Sequence, residues 1–113
     1  MIIEEEGIKL ELPALLHKKA FYNPKMRVVR SLNIEIYSAF NFKNFLDLLA
    51  SIGANSLRIK KELNLDVYAN DISKEAINLM KRNTEINNLN INIFNENAKY
   101  LSLSLIHISE PTR

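Results

Sequence analysis

The sequence has no cysteine and no tryptophan, and only two glycines and three prolines among its 113 residues. Without cysteine there can be no disulfide, thiolate metal site or cysteine nucleophile, and no metal-binding residue is nominated. No apolar run approaches the roughly 20 residues that a bilayer-spanning helix requires, so no membrane partner is expected. The opening Met1-Ile2-Ile3-Glu4-Glu5-Glu6 is acidic, where a secretory leader would be basic. These absences together lead to the expectation of a cytoplasmic protein.

The composition that remains is 47% hydrophobic and 25% charged, the balance of a globular chain. The length allows one domain at most, since domains usually run to about 100–200 residues. The net charge of +2 is too small to argue for a nucleic-acid partner by itself. Its distribution is more informative. No acidic residue falls between Glu11 and Glu35, while Lys18, Lys19, Lys25, Arg27 and Arg30 do. Such a stretch suits either a solvated basic face or a phosphate track, where binding is driven by counterion release.

Along the chain, apolar residues from Ile2 to Leu12 are interrupted by Glu4-Glu5-Glu6-Gly7, which predicts two short strands folded over a turn at Gly7. Pro13 closes this segment. Asn23-Pro24 then predicts a helix start, with Asn as N-cap and Pro in the first turn. Val29, Leu32, Ile36 and Phe40 form its expected apolar stripe, leaving Arg27, Arg30 and Asn33 free to face solvent or a ligand. The run 45–50 reads as a buried parallel strand, entering a turn at Gly53. A short helix is expected over 56–63, a second strand over 66–71 and a third over 91–95. Ser73 should cap a helix reaching about Asn87, with Glu75 favoured in its first turn. The inner stripe of that helix is expected to be Ile72, Ala76, Leu79 and Ile86, interrupted by Asn83. Alternation of strand and helix at this spacing predicts an α/β fold with a doubly wound parallel sheet.

Ligands of such sheets bind beyond the carboxyl ends of the strands. Gly53 stands at the exit of the first parallel strand, and Asp71 follows it by eighteen residues at the end of the second. A carboxylate about 20 residues beyond a glycine turn is placed to accept hydrogen bonds from a ribose diol; it is equally suited to capping the next helix. There is no G-x-G-x-x-G and no G-K-[ST], hence no pyrophosphate cradle and no P-loop. A nucleoside cofactor without phosphates fits this turn better.

The string Phe21-Tyr22-Asn23-Pro24-Lys25-Met26-Arg27-Val28-Val29-Arg30 resembles the F-Y-N-P-x-M-x-x-x-R signature of the tRNA (guanine-26-N2)-dimethyltransferases, most closely the archaeal type. Leu46-Asp47-Leu48-Leu49, Asn70-Asp71-Ile72-Ser73, Lys81-Arg82-Asn83 and Asn97-Ala98 fit the same resemblance in order and spacing. It implies the first three strands of a Rossmann-like class I methyltransferase domain over residues 21–102, preceded by a hairpin and lead segment over 1–20. It also implies S-adenosyl-L-methionine as cofactor and tRNA as partner. Carried over by position, Arg30 would contact the cofactor, for example its carboxylate, and Asp71 would hold the ribose. Asn97 and Ala98 would lie against the adenine, with Gly53 and Arg58 in the turn. Phe21 and Tyr22 would flank cofactor or base, or simply pack. The family's turn usually reads G-[IV]-R-G-[ILV]-R; here Asn55 and Ser56 replace the first arginine and second glycine.

The family's catalytic aspartate sits in a D-P-[FP]-[GY] motif at the end of a fourth strand, which these residues do not contain. No catalytic residue is therefore nominated, and turnover by this segment alone is not expected. Residues 103–113, Leu-Ser-Leu-Ile-His-Ile-Ser-Glu-Pro-Thr-Arg, resemble a translated sequencing adapter and are set aside as a non-native tail; His107 gets no role. Two other readings stand beside the main one: a class I methyltransferase acting on another RNA position or on protein, and a non-catalytic RNA-binding module.

Overall fold

The computed structural model describes residues 1–13 and 22–99. Phe21, Lys18, Lys19 and the tail from 103 onward lie outside the described residues. The chain opens with strands β1 (Ile2–Glu5) and β2 (Ile8–Glu11), paired antiparallel with Glu5 opposite Ile8. Glu6 and Gly7 both have positive φ, 45° and 84°, the conformation whose twist suits a two-residue hairpin loop. The hairpin expected from Gly7 is therefore present. Period-two alternation puts Ile8 and Leu10 inward, both buried.

A turn of 3-10 helix (Pro24–Met26) leads into α1 (Arg27–Ser38). The Asn23 side chain accepts a hydrogen bond from the Lys25 amide at 3.0 Å, so the Asn-Pro start acts as the sequence suggests. The expected stripe, however, faces the wrong way. Val29, Leu32, Ile36 and Phe40 are all exposed, and the buried residues of α1 are Arg30 and Ile34. The cause is a buried carboxylate on the hairpin, Glu5, which draws Arg30 inward.

Strands β3 (Asn44–Asp47), β4 (Asp66–Asn70) and β5 (Asn92–Phe94) form a parallel sheet in the order β3-β4-β5. Helices α2 (Ala54–Leu63) and α3 (Lys74–Ile86) make the two crossovers. The α/β class and the parallel sheet are as expected; among the described residues the three strands run in sequence order, without the reversal of a doubly wound sheet. Strand β3 ends earlier than the apolar run suggests because Leu48 and Leu49 already form a turn, although the Ala50 amide still reaches the Asn70 carbonyl at 2.7 Å. Helix α2 begins two residues early, with Gly53 as its N-cap at φ 93°.

Ser73 caps α3 as expected, accepting from the Ala76 amide. The buried residues of α3 are Ala76, Ile77, Met80 and Asn83, while Ile72 is exposed and Leu79 only partly buried. Asn83 thus belongs to the inner stripe instead of interrupting it. Its amide exchanges hydrogen bonds with the backbone of Glu11, and one turn later Asn87 does the same with Lys9. The two asparagines act as a substitute strand against the outer edge of β2, satisfying groups that would otherwise be unpaired. The core lies between the sheet, α2, α3 and the hairpin, and includes Leu10, Ile52, Leu57, Val67, Ala69 and Met80.

Candidate functional site

The carboxyl ends of the three parallel strands are tied together by Asn70, which is fully buried. Its side-chain nitrogen donates to the carbonyls of Leu48 and Glu96, and its oxygen accepts from the Glu96 amide. This knot fixes the loops that follow β3 and β5 relative to β4. Asp71, the next residue, accepts from the Ser51 amide through one oxygen and from the Ser73 amide through the other, both at 2.9 Å. It braces the β3 turn, where Ser51 is held at φ 53°, and caps the approach to α3. Each carboxylate oxygen retains a lone pair for a further donor.

Two clefts open on either side of the Leu48–Ser51 turn. The first, about 270 Å³, is lined by Tyr22, Asn23, Arg30, Asp47, Ser51 and Asn55, with Met26, Val29, Asn33, Leu49, Ala50 and Ala54 completing it. The second, about 210 Å³, is lined by Leu48, Leu49, Asn70, Ile72, Glu96, Asn97 and Ala98. Asp71 stands between them, joined to Ser51 of the first and adjacent in sequence to Asn70 and Ile72 of the second. Leu49 and Ile72 are strongly exposed for aliphatic residues, at 76% and 66%, and offer an apolar surface at the strand tips.

Behind the first cleft lies Glu5, fully buried. It accepts from Arg30 through Nε at 2.8 Å and through Nη2, from the Tyr22 hydroxyl at 2.7 Å, and from Arg58 Nη1 at 3.3 Å. Burial alone would raise the Glu5 carboxyl, but the hydrogen bonds from Arg30 and Tyr22 and the charges of Arg30 and Arg58 outweigh it and hold it below its ordinary value. Burial, aided by the Glu5 carboxylate, pushes the Tyr22 phenol up to about 12. The Arg30 guanidinium also lies 5.0 Å from the centre of the Tyr22 ring, within cation–π range.

Asp47 ends β3 on the helix-facing side of the sheet. Burial pushes its carboxyl above the ordinary value, only partly opposed by hydrogen bonds from Ser56, the Leu49 amide and Asn55. Ser56 donates to it at 2.9 Å and is fully buried, so this side chain points into the fold and leaves the cleft unfilled. The side-chain oxygen of Asn55 is buried in the cleft wall and has no hydrogen-bond partner among the described residues. Orphaned acceptors of this kind are rare and costly. An Arg cation together with the acceptors Asp47 and Asn55 in the lining of one cleft suits a zwitterionic head group.

Of the residues nominated from the sequence, the structure gathers Arg30, Asp71, Asn97 and Ala98 around the strand tips. Gly53 and Arg58 are outside both cleft linings. A Cβ on Gly53 would meet Met80 Cγ at 2.9 Å, so the glycine is required by its positive φ and by core packing. Arg58 is buried against Glu5 and the Arg27 carbonyl. In the basic stretch, Arg27 pairs with Glu6, and Arg30 shares the single carboxylate of Glu5 with Arg58. Sequence reasoning passed over Glu5, Asp47, Asn55 and Asn70. A charge inside the apolar run Phe45–Leu49, and Glu5 sharing the alternation of Ile3, were the available signals.

Known proteins bear on this geometry in one direction. The sequence profile of the N2,N2-dimethylguanosine tRNA methyltransferases matches residues 2–107. The chain belongs to that family. A tRNA (guanine(26)-N(2))-dimethyltransferase of Methanocaldococcus jannaschii is 34% identical over 87% of this chain and 30% of its own length. The enzyme of the same description from Methanococcus maripaludis C5 is 36% identical over 88% of the chain and 31% of its own length. The chain therefore spans less than a third of the curated relatives it matches. Among solved structures, Trm1 from Pyrococcus horikoshii in complex with S-adenosyl-L-methionine superposes with a TM-score of 0.71 at 33% identity, covering 77% of this chain and 24% of that one. An Agrobacterium tumefaciens S-adenosylmethionine-dependent methyltransferase shares the fold, with a TM-score of 0.77 at 19% identity over 95% of this chain and 36% of its own.

Proposed function

We propose that this chain carries the cofactor-binding part of an S-adenosylmethionine-dependent methyltransferase that dimethylates the exocyclic N2 amine of guanine 26 in tRNA. The observation that carries the reading is the pair of clefts at the strand tips, with a carboxylate between them, in a chain of this family. The orphaned Asn55 oxygen beside Arg30 and Asp47 supports the fit of the cofactor, because a methionine end brings both an ammonium and a carboxylate.

Bound S-adenosylmethionine would supply an electrophilic methyl group on a sulfonium. In this reading Arg30 pairs with the carboxylate and Asp47 and Asn55 accept from the ammonium. Asp71 accepts from the ribose, while Leu49, Ile72 and Ala98 pack on the adenine and Asn97 meets its edge. Gly53 and Arg58 support the site from behind, keeping the turn and α2 in place. The guanine amine is a poor nucleophile because its lone pair is delocalised into the ring, so the protein must orient it and stabilise the charge that develops. The target base has to leave its stack to be reached. No described residue here is assigned that task, and this segment by itself is not expected to turn over.

The test is methylation by the full-length protein of a tRNA transcript carrying guanine 26 and of its adenine-26 counterpart, read by nucleoside mass spectrometry. The reading expects N2,N2-dimethylguanosine from the first transcript alone. Methylation at another nucleotide or of protein would replace the substrate assignment and keep the cofactor. Binding of RNA without any affinity for S-adenosylmethionine would make the chain a non-catalytic module.

A further inference from the structure

The N-terminal hairpin lies outside the parallel sheet, yet its last β1 residue, Glu5, is fully buried and accepts four hydrogen bonds. Glu5 lines neither cleft, but two of its partners, Tyr22 and Arg30, line the first. Its two oxygens take the Nε and Nη2 positions of the Arg30 guanidinium as a fork, and Nη2 also approaches the Asn23 carbonyl at 3.3 Å. A planar guanidinium held along one edge has a fixed direction. The corner left over from that fork is Nη1.

We propose that Glu5 is a positioning residue of the cofactor site: by gripping one edge of Arg30 it aims the opposite corner at the carboxylate end of a zwitterionic ligand in the cleft. The inference rests on the cofactor reading above and goes beyond it, because it makes the hairpin part of the binding site. Charge supports it. Glu5 faces two arginines, Arg30 and Arg58, so the cluster keeps one net positive charge for an anionic group. The cluster is also anchored independently of any ligand, through Tyr22 and through the Arg58 contact to the Arg27 carbonyl. A free arginine in a cleft wall would lose rotamer freedom on binding; one already clamped has lost it on folding, which is preorganisation.

The test compares two ligands on the full-length protein by titration calorimetry. S-adenosylhomocysteine has the amino-acid end; 5′-methylthioadenosine lacks it and keeps the nucleoside. Glu5→Gln should weaken S-adenosylhomocysteine binding about tenfold, the scale of one charge-assisted hydrogen bond, and leave methylthioadenosine within about twofold. Asn87→Ala, which loosens the hairpin at its other edge, should leave the ratio of the two affinities unchanged. If Glu5→Gln does not keep its fold, Glu5→Asp, which retains the charge but draws the fork back, must produce the same split. An equal loss for both ligands, no loss for either, or the same split from Asn87→Ala overturns the role of Glu5 while the cofactor reading stands. Failure of the unaltered protein to bind either ligand overturns both.

Discussion

Glu5 is a fully buried carboxylate, tolerated only where cations and donors meet it. Here Arg30, Arg58 and Tyr22 meet it. Replacing it with leucine would leave two buried arginines without a counter-charge and is expected to cost about 3–5 kcal/mol, measured by urea unfolding. The pH dependence follows from the depressed carboxyl. The stabilisation from Glu5 is complete above its ordinary value of 4.5 and is lost as the pH falls from there through the lower value of the folded state. The unfolding midpoint should therefore drop on acidification below about pH 5, and Glu5→Gln should flatten that drop. A pH profile identical in both proteins would remove Glu5 from the account. In the run Glu4-Glu5-Glu6 the one available signal was that Glu5 shares the alternation of Ile3. Whether a carboxylate is buried depends on partners 25 and 53 positions away, which local pattern does not contain. Asp71 and Arg30 were singled out by strand-end spacing and by a motif, and the structure puts Arg30 in a cleft lining and Asp71 at the strand tips.

At the scale of elements, the sequence specified the order and type of every described strand and helix, but not which side of each helix faces inward. Apolar periodicity assigns the inner face of a helix only when that face is apolar. The buried side of α1 is built on Arg30 and Ile34, and that of α3 includes Asn83, so in both cases a polar residue with a specific partner overrode the pattern. Asn83 and Asn87 make the clearest case. They hold the outer edge of β2 through four hydrogen bonds to Glu11 and Lys9, and a sequence pattern cannot show which asparagine meets a strand edge. Asn87→Ala is expected to destabilise by about 1–2 kcal/mol, because two backbone groups lose their partner near solvent. Hydrogen exchange should quicken at the Lys9 amide and stay unchanged in β4. Equal protection at Lys9 in both proteins would mean that the hairpin is held by its apolar contacts alone.

At the scale of the whole molecule, the described residues cover the sheet on one side. Phe45, Val67, Ala69 and Ile93 face the helices, whereas Leu46, Tyr68 and Phe94 share the opposite face, with Tyr68 and Phe94 stacked at 6.4 Å. Parallel sheets are normally covered on both faces, and the α1 face bearing Leu32 and Ile36 is likewise exposed, at 56% and 55%. The chain spans 30% of its Methanocaldococcus relative. In the chain by itself, Leu32→Glu and Ile36→Lys should change stability by no more than about 0.5 kcal/mol in urea unfolding, as surface substitutions do. A loss of several kcal/mol would show that this face is already packed.

The central claim is that a phosphate-free nucleoside spans the tips of β3 and β4 with its sugar held by Asp71. Calorimetric titration of S-adenosylmethionine into the full-length protein and its Asp71→Ala variant tests it most directly. The account predicts binding by the unaltered protein and a loss of about 1–3 kcal/mol in the variant, the cost of stranding polar partners. Equal affinity in the two proteins would reduce Asp71 to the brace it forms between Ser51 and Ser73 and would contradict the account.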